Sequence, residues 1–465
     1  MKNDQRILAV LAVATALLAG CAVGPDYRRP DVETPAAFKE GQGDWVKAAP
    51  ADALERGPWW QLFDDPALND LAARVEVDNQ NVAMAVARYG QARAILAEQR
   101  ASLFPTVNLA GGATRAGGTT STRSGTSYQY SIGASWEPDV WGRLRRTVEG
   151  ARAGEQASAA DLQAAKLSAQ GELATSYINL RQVDVARTLQ ANTITSYERS
   201  LRITQNRYDA GIAARTDVLQ AQTQLANAQG DLLTLERQRA TLEHAIAVLV
   251  GRAPANFNLP VRVADVGVVP DVPLELPSTL LQRRPDIAGA ERRVAQANAQ
   301  IGVEQSGYFP SLTLTGNAGA AAASISDLFS VSARAWSLGA SLAQTVFDAG
   351  ATRARIEAAQ AAHDEAAASY RQTVLAAFQD VEDQLVATRL LRDQLVFRQQ
   401  ASTAADLVEQ QVLNRYQVGQ VNYTDVVVAQ VAALNARVAL VQATANRQVA
   451  AVALIQSLGG GWHGL

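Results

Sequence analysis

The stretch RYDAGIAARTDV at residues 207–218 returns as RYQVGQVNYTDV at residues 415–426, with its Arg-Tyr, Gly and Thr-Asp-Val elements at the same spacing. An earlier string, FPTVNLAG at 104–111, returns in the same order as FPSLTLTG at 309–316. The copies lie about 200 residues apart, whereas solenoid repeats are shorter than about 50 residues. A duplication of this length predicts two halves of one pseudo-symmetric body.

Long helices are predicted before each Arg-Tyr string. Residues 351–418 contain neither Gly nor Pro, and residues 143–210 contain no Pro and three Gly. Each segment would extend about 100 Å as a helix, and uncapped helices of that length are typical of coiled coils or bundles. Gly211 and Gly419 can adopt the left-handed conformation that ends a helix. Shorter helices are expected to return from about 216 to 250 and from about 424 to 458.

Period-two alternation marks a second kind of segment. Apolar residues alternate with small or polar ones over 128–136, and again over 336–343. Together with the two Phe-Pro strings, these segments predict two β-hairpins, at about 104–138 and 309–346. The aromatic residues expected to anchor these strands at a membrane interface are Tyr128, Tyr130, Trp136 and Trp336.

Four such strands suit a membrane better than a soluble core. Each is about 10 to 13 residues long, apolar on one face and polar on the other, as in a tilted strand with lipid outside and water inside. A soluble sandwich is the alternative. Because the smallest membrane barrels have eight strands, and an open edge in lipid leaves backbone groups unpaired, a spanning role requires several copies of the chain.

Composition argues against several other functions. The net charge of −3 gives no electrostatic case for nucleic acid, which is not expected as a partner. The three histidines and one cysteine are far apart in sequence, so no metal site is expected. No nucleotide-binding Gly-x-x-x-x-Gly-Lys loop and no nucleophile–base cluster is evident, so no catalytic residue is predicted and an enzyme is not expected.

The N-terminus has the pattern of a lipoprotein signal peptide. Residues 1–20 combine Lys2 and Arg6 with an apolar run and the small pair Ala-Gly. Cys21 follows in a Leu-Ala-Gly-Cys box, where bacterial lipoproteins are cleaved and lipidated, so N-palmitoyl and S-diacylglycerol groups are expected on Cys21 and no other cofactor. An ordinary signal peptide is the alternative. Ala22 favours the outer membrane over the inner one, and no later membrane-spanning helix is expected.

Further strings give the chain a family resemblance. LLQRRPDI at 280–287 and DVWGRLR at 139–145 accompany Cys21, the two Phe-Pro strings and the two Arg-Tyr-x-x-Gly turns. With these, the chain resembles the outer membrane factor family of TolC-like proteins, and more narrowly the NodT- and OprM-like lipoprotein branch that serves RND efflux systems. The resemblance extends over residues 16–462.

The resemblance implies an assembly and a function. The expected assembly is a homotrimer in outer-membrane lipid, with four strands per chain forming a 12-stranded β-barrel that is continued by a helical periplasmic tunnel. The expected function is a passive exit duct for drugs or other small molecules, with a periplasmic adaptor (membrane fusion protein) and an inner-membrane RND-type transporter as partners. A type I protein-secretion duct and a non-transporting periplasmic coiled-coil scaffold remain alternatives.

The expected organisation follows from these elements. It comprises a signal peptide (1–20), an N-terminal equatorial segment (21–65), the first repeat (66–250), a Pro-rich equatorial linker (251–285), the second repeat (286–458) and a C-terminal tail (459–465).

The resemblance also places an aperture at the two turns, whose tips at Gly211 and Gly419 are expected to dock the adaptor. Tyr416 and Asp217 would form a clasp, with Thr216 nearby. Asp425, next to Thr424, would contribute to an acidic ring. Where relatives have a second acidic residue this chain has Val428, which could close the tunnel by dewetting, and Val421 stands in place of a basic clasp residue.

A simpler interpretation of the two aspartates stays open. Thr-Asp just after a Gly turn is also typical of a helix N-terminus, where a carboxylate accepts hydrogen bonds from free amides. For Asp217 both interpretations stand equally, and for Asp425 the gate is preferred. Arg283 and Arg284 are expected to form structural salt bridges rather than to contact a substrate.

Overall fold

The computed structural model describes residues 22–35, 37–40, 58–117, 125–262, 269 and 284–460. The predicted signal peptide, Cys21 and Arg283 lie outside the described residues. The chain divides into two compact units. The strand unit comprises Met1–Val32, Arg88–Ala159 and Gly289–Gln372, and the helix-turn unit comprises Glu33–Ala87, Ala160–Ala288 and Thr373–Leu465.

The fold is mixed α and β, as the sequence predicts. The main elements in chain order are α1 (Pro66–Asp78), α2 (Gln80–Ala101), β1 (Thr106–Ala116), β2 (Gly125–Trp136), α3 (Arg143–Asp209), α4 (Arg215–Leu249), α5 (Pro285–Gln305), β3 (Ser311–Ala322), β4 (Arg334–Ala343), α6 (Ala351–Gln417) and α7 (Tyr423–Ser457). The two long helices have 67 residues each and the returning helices 35 each, so the internal duplication is visible in the lengths.

Local chemistry sets the first helix boundaries. Asp65 caps α1, because its Oδ1 accepts from the Ala67 amide at 2.9 Å, and Pro66 occupies the first helical position where no amide is needed. Asn79 separates α1 from α2. Its Oδ1 accepts from the Val82 amide at 3.1 Å, and its side-chain nitrogen donates to the Leu249 carbonyl at 2.8 Å.

The strand unit contains one antiparallel sheet in the order β1-β2-β3-β4. The two hairpins are joined directly, because β2 pairs with β3. Within the described chain β1 and β4 are the edge strands, and each has one edge without a partner. This arrangement leaves hydrogen-bonding groups at both ends of the sheet that only another chain, another segment or water can satisfy.

The register sorts the side chains onto two faces, since directly opposed residues point the same way. We call the face that carries the aromatic residues the apolar face. It consists of Val107, Leu109, Gly111, Ala113 and Arg115 from β1, Thr126, Tyr128, Tyr130, Ile132, Ala134 and Trp136 from β2, Leu312, Leu314, Gly316, Ala318, Ala320 and Ala322 from β3, and Arg334, Trp336, Leu338, Ala340 and Leu342 from β4. The opposite face is made of small and polar residues.

The apolar face is largely uncovered in the described chain. Leu109 is 77% exposed and Leu338 is 79% exposed. A soluble sandwich would bury these side chains against a second sheet, which the described residues do not provide. The described chain therefore contains no sandwich of two sheets, and its uncovered apolar face fits a lipid-facing surface.

The main hydrophobic core lies in the helix-turn unit, where α1, α3, α4 and α7 pack together. Leu68, Leu173 and Ile246 are among its fully buried side chains. Trp59 and Trp60 from the N-terminal segment belong to the same core, and the Trp59 indole donates to Gln170 Oε1 at 3.2 Å. Residues 58–65, directly before α1, are thus packed on the helices.

One described helix, α7, is long and apolar enough to cross a membrane by length and composition. Its mean hydropathy is 1.6 over the most apolar window. Both ends of α7 contribute to buried clusters, with Tyr423 and Val426 at one end and Val452 and Ile455 at the other. Only 28% of that window is buried, so packing within the described chain accounts for part of its apolar composition.

Candidate functional site

The two helix turns share one backbone geometry. Gly211 and Gly419 have φ angles of 74° and 80°, in the left-handed region that favours glycine. The amide after each glycine donates to the carbonyl of Arg207 or Arg415, at 2.8 and 2.9 Å. The Arg-Tyr-x-x-Gly string is therefore a helix-ending motif, and the predicted ends of both long helices are confirmed.

Tyr416 ties the end of α6 to the end of α3. Its ring is buried, and its hydroxyl lies 3.2 Å from Thr204 Oγ1. The Arg207 guanidinium lies over the ring at 4.9 Å from its centroid and donates to the Tyr416 carbonyl at 3.1 Å. Tyr423 packs against the same ring at 5.6 Å between centroids. The two repeats are thus joined near their turns by polar and cation–π contacts, and the Tyr416–Tyr423 contact joins α6 to α7 within the second repeat.

This arrangement differs from the expected clasp between Tyr416 and Asp217. Within the part of the chain that the structure describes, the Tyr416 hydroxyl is paired with Thr204 instead. A helical side chain leans toward the N-terminus of its own helix, so Tyr416 reaches back along α6 and away from the turn. Thr204 lies before the turn on α3, whereas Asp217 lies beyond it. Arg207 begins the repeated string, whereas Thr204 lies three residues before it, where the second copy has Val412, so no sequence signal marked Thr204.

The two aspartates have different roles in the chain. Asp425 accepts from the Asn422 amide at 3.2 Å and thereby closes the first turn of α7. Asp217 occupies the equivalent place on α4, where the N-cap residue is Ala214 and no side chain makes a capping bond. Asp425 therefore makes a helix-capping hydrogen bond, although a role in the gate was the preferred interpretation for it. In the described part of the chain, Asp217 makes no such bond.

The pKa of Tyr423 shows how closely this cluster is packed. Burial, followed by the smaller effects of the nearby Tyr416, Tyr197 and Asp217 side chains, raises the pKa of the Tyr423 hydroxyl to about 12. Tyr423 therefore stays neutral at physiological pH. Two ionisable side chains lie next to this cluster, namely Arg207 over the Tyr416 ring and the half-buried Asp217 near Tyr423.

One face of α7 remains exposed next to the turn. Thr424, Asp425 and Val428 are exposed, and Val428 is 64% exposed. Asp425 and Val428 are three residues apart, so they lie on the same helix face. Thr216, at the start of α4, is exposed as well. The role of Asp425 and Val428 at an aperture stays a prediction.

The aromatic residues of the sheet lie toward both of its ends. Trp136 is at the end that connects to the helices, and its indole donates to the Leu103 carbonyl at 3.0 Å. Tyr128, Tyr130 and Trp336 are toward the end that carries the hairpin loops. Aromatic residues near both ends of an apolar band are typical of membrane-spanning strands. Their role as interface anchors stays a prediction.

The residues that follow Cys21 are fixed at the helix end of the sheet. The Val23 amide donates to the Trp141 carbonyl at 3.0 Å. The buried Arg146 side chain donates to the carbonyls of Val23 and Gly24, each at 3.2 Å. Gly142 has a φ of 83°, and a Cβ there would lie 2.9 Å from the Ala22 Cα atom. The string DVWGRLR and the Arg146 that follows it therefore bind the chain immediately after Cys21, and we call Trp141, Gly142 and Arg146 the seat of this segment.

Arg284 forms structural salt bridges, as expected. Its guanidinium contacts Asp286 at 2.7 Å and Asp380 at 3.2 Å, and it also donates to the Ser457 carbonyl at 3.1 Å. These contacts join the start of α5 to α6 and to the end of α7. In the described residues, no group of three or more His, Cys, Asp or Glu side chains could hold a metal ion.

Comparison with known proteins gives a consistent result over nearly the whole chain. The family model described as "Outer membrane efflux protein" matches residues 71–252 and 276–460. The probable efflux pump outer membrane protein TtgC of Pseudomonas putida is 31% identical over 462 residues, which cover 97% of this chain and 95% of TtgC. The cation efflux system protein CusC of Escherichia coli O6:H1 is 28% identical over 96% of this chain and 97% of CusC.

A solved structure supports the same conclusion. The outer-membrane channel OprN superimposes with a TM-score of 0.87 at 32% sequence identity, covering 95% of this chain and all of the OprN chain.

Proposed function

The chain belongs to the outer membrane efflux protein family, and from this membership we propose that three copies close one channel. The observation that carries the proposal is the four-stranded sheet with two open edges and an uncovered apolar face. Open edges in lipid are costly because unpaired backbone groups have no water to bond. Four strands are too few for a barrel, and three chains supply twelve.

The protein is an outer-membrane efflux channel, a transporter rather than an enzyme. It is the exit duct of a tripartite system and conducts its cargo passively. We propose that a periplasmic adaptor docks at the turn tips around Gly211 and Gly419, and that an inner-membrane RND-type transporter supplies the energy. The repeated turn geometry supports this, because a trimer would present six similar tips to the adaptor.

The proposed cargo is drugs or other small molecules that the inner-membrane transporter selects. The relatives TtgC and CusC are named for an efflux pump and a cation efflux system, so related ducts serve more than one efflux system. A duct shared by such systems has no need of a selective binding site.

The aperture of the trimer is proposed to combine Asp425 and Val428. Three Asp425 carboxylates, each held by the cap hydrogen bond from Asn422, would form a ring that attracts cations. Three Val428 side chains one helical turn further on would form an apolar constriction, which can close by dewetting. The exposure of both residues in the single chain supports their meeting at the shared axis.

Lipidation of Cys21 with N-palmitoyl and S-diacylglycerol groups is also proposed. The support is the seat formed by Trp141, Gly142 and Arg146, which holds Ala22 and Val23 at the helix end of the membrane strands. Acyl chains at that level would enter the inner leaflet, at about 0.8 kcal/mol per buried methylene. Intact mass of the mature protein with and without Cys21→Ser tests this, and an unmodified wild-type N-terminus would contradict it.

The channel function is tested by fractionation and conductance. We expect the protein in outer-membrane fractions as an oligomer that dissociates on heating, and the purified oligomer should conduct ions in planar bilayers. A soluble periplasmic monomer, or an outer-membrane oligomer that never conducts, would instead favour the non-transporting scaffold.

A further inference from the structure

The four strands carry only two charged residues, Arg115 on β1 and Arg334 on β4. Both lie on the apolar face, because Arg115 is opposed to Thr126 and Arg334 is opposed to Ala320. Both also lie at the end of the sheet that carries the hairpin loops. Two cations toward the same end of an otherwise uncharged surface therefore need an explanation.

No carboxylate neutralises these arginines within the part of the chain that the structure describes. Both side chains are exposed, and neither takes part in an ion pair between described residues. Asp327, the acidic residue of the described β3–β4 loop, is engaged locally, because its Oδ2 accepts from Ser324 Oγ at 2.8 Å. The two guanidinium groups thus remain available to an external anion.

The β3–β4 loop extends the apolar face at this end. Phe329 stacks on Tyr130, with 5.9 Å between ring centroids and 29° between ring planes. Phe329 is 69% exposed, and Ile325 and Val331 are exposed as well. Because Tyr130 belongs to the apolar face, this loop lies on the lipid side rather than on the water side of the sheet.

The position of the arginines fixes what they meet. In chain order α2 and α5 lead into β1 and β3, and α3 and α6 follow β2 and β4, so these helices connect to the end of the sheet opposite the hairpin loops. In the proposed channel these helices lie on the periplasmic side, so the loop end would face the exterior leaflet. A charge on a lipid-facing surface is tolerated near the interface, where the long arginine stem lies along apolar surface and the guanidinium reaches the headgroups. The planar guanidinium group suits phosphate, to which it can donate two parallel hydrogen bonds.

We propose that Arg115 and Arg334, beside the Tyr130–Phe329 pair, bind the phosphate groups of lipids in the outer leaflet of the outer membrane. The inference rests on the proposed trimeric channel. In that assembly the edge strand β4 of one copy pairs with β1 of the next, so each seam receives Arg334 from one copy and Arg115 from its neighbour. The lipid would then bridge adjacent copies at three equivalent seams.

The experiment uses the full-length trimer in phosphatidylcholine nanodiscs. Bisphosphorylated lipid A is added in one arm, dephosphorylated lipid A in a second, and inorganic phosphate alone in a third. Native mass spectrometry counts retained lipids, and thermal melting reports stabilisation. The variant is Arg115→Gln with Arg334→Gln. The matched control is Arg88→Gln, which removes an exposed arginine from α2.

We expect the wild type and Arg88→Gln to retain bisphosphorylated lipid A and to melt at a higher temperature with it. The double glutamine variant should bind it about tenfold more weakly or worse, since charge-assisted hydrogen bonds are lost. A double lysine variant, which keeps the charge but not the planar fork, should bind with intermediate strength. Dephosphorylated lipid A should give no retention.

Three results would overturn the inference: equal retention by the double glutamine variant, equal retention of the dephosphorylated lipid, or a full melting shift with inorganic phosphate alone. Conductance of the same preparations separates this outcome from a failure of the channel function. A wild-type trimer that conducts but shows no preference for phosphorylated lipid refutes the lipid site alone, whereas a wild type that never conducts refutes the channel.

Discussion

The link between Tyr416 and Thr204 gives the sharpest prediction about gating. Opening of the aperture is expected to move the end of α6 away from the end of α3, which breaks the 3.2 Å contact between the two hydroxyl groups. Tyr416→Phe removes that contact while keeping the ring that Arg207 and Tyr423 pack against. The substitution should therefore destabilise the closed state without unfolding the turn.

The magnitude follows from the geometry. A neutral hydrogen bond contributes about 0.5 to 1.5 kcal/mol, and the buried Thr204 hydroxyl that loses its partner can donate to a carbonyl of its own helix. We expect a cost of about 1 kcal/mol per chain, or about 3 kcal/mol when three chains act on one aperture. That corresponds to roughly a hundredfold increase in the ratio of open to closed channels.

Single-channel recording in planar bilayers measures this ratio. Thr204→Val should have a similar effect, and the double variant should add little to either single one, because both remove the same contact. Asp217→Ala is the control that separates this link from the clasp inferred by resemblance. Opening by Asp217→Ala as strong as that by Tyr416→Phe, with Thr204→Val inert, would refute the reasoning.

Three further predictions concern other parts of the chain. Val428→Asp should add a second acidic ring beside Asp425 and make the channel more selective for cations. The measurement is the reversal potential in a salt gradient, which should shift. An unchanged reversal potential would show that Val428 does not line the aperture. Gly142→Ala should lower the melting temperature, because the new Cβ would lie 2.9 Å from the Ala22 Cα atom and the residue has a φ of 83°. The control is Gly150→Ala on α3, where the new Cβ would make an ordinary contact at 3.5 Å, so this variant should have an unchanged or higher melting temperature. The pKa of the Tyr423 hydroxyl is raised, chiefly by burial, to about 12 in the folded state, whereas in the unfolded state it is about 10. Between these pH values the unfolded state loses a proton that the folded state keeps. The free energy of unfolding is therefore at its full value below about pH 10 and falls as the pH approaches about 12. Melting curves of Tyr423→Phe should lose less stability over that range than the wild type, and an equal loss would contradict this.

The sequence was sufficient for the elements whose patterns are local. The long helices α3 and α6 were predictable because glycine and proline are rare or absent before Gly211 and Gly419, which then end them. The strands were predictable because alternation of side chains needs no knowledge of the partner strand. The observed register then placed every predicted apolar position on one face.

Contacts between distant segments could not be predicted in the same way. The partner of Tyr416 depends on the direction of its side chain along α6 and on the distance to Thr204, neither of which a sequence pattern contains. The seat of Val23 on Arg146 joins residues more than 100 positions apart. The charges of Arg115 and Arg334 become notable only once the register places them on the same face.

The role of Asp425 shows a different limit. The repeated Thr-Asp strings suggest the same chemistry at both turns, yet Asp425 caps its helix and Asp217 does not. Asn422 stands where the first copy has Ala214, but both residues have a backbone amide, and within the described residues only the Asn422 amide donates to the aspartate three residues further on. A shared motif therefore does not fix the hydrogen bonds that its residues make.

The central claim is that open-edged sheets from three chains close one channel. Native mass spectrometry of the conducting protein extracted from the outer membrane tests this most directly. We expect a particle with the mass of three mature chains. A conducting particle that contains one or two chains would contradict it.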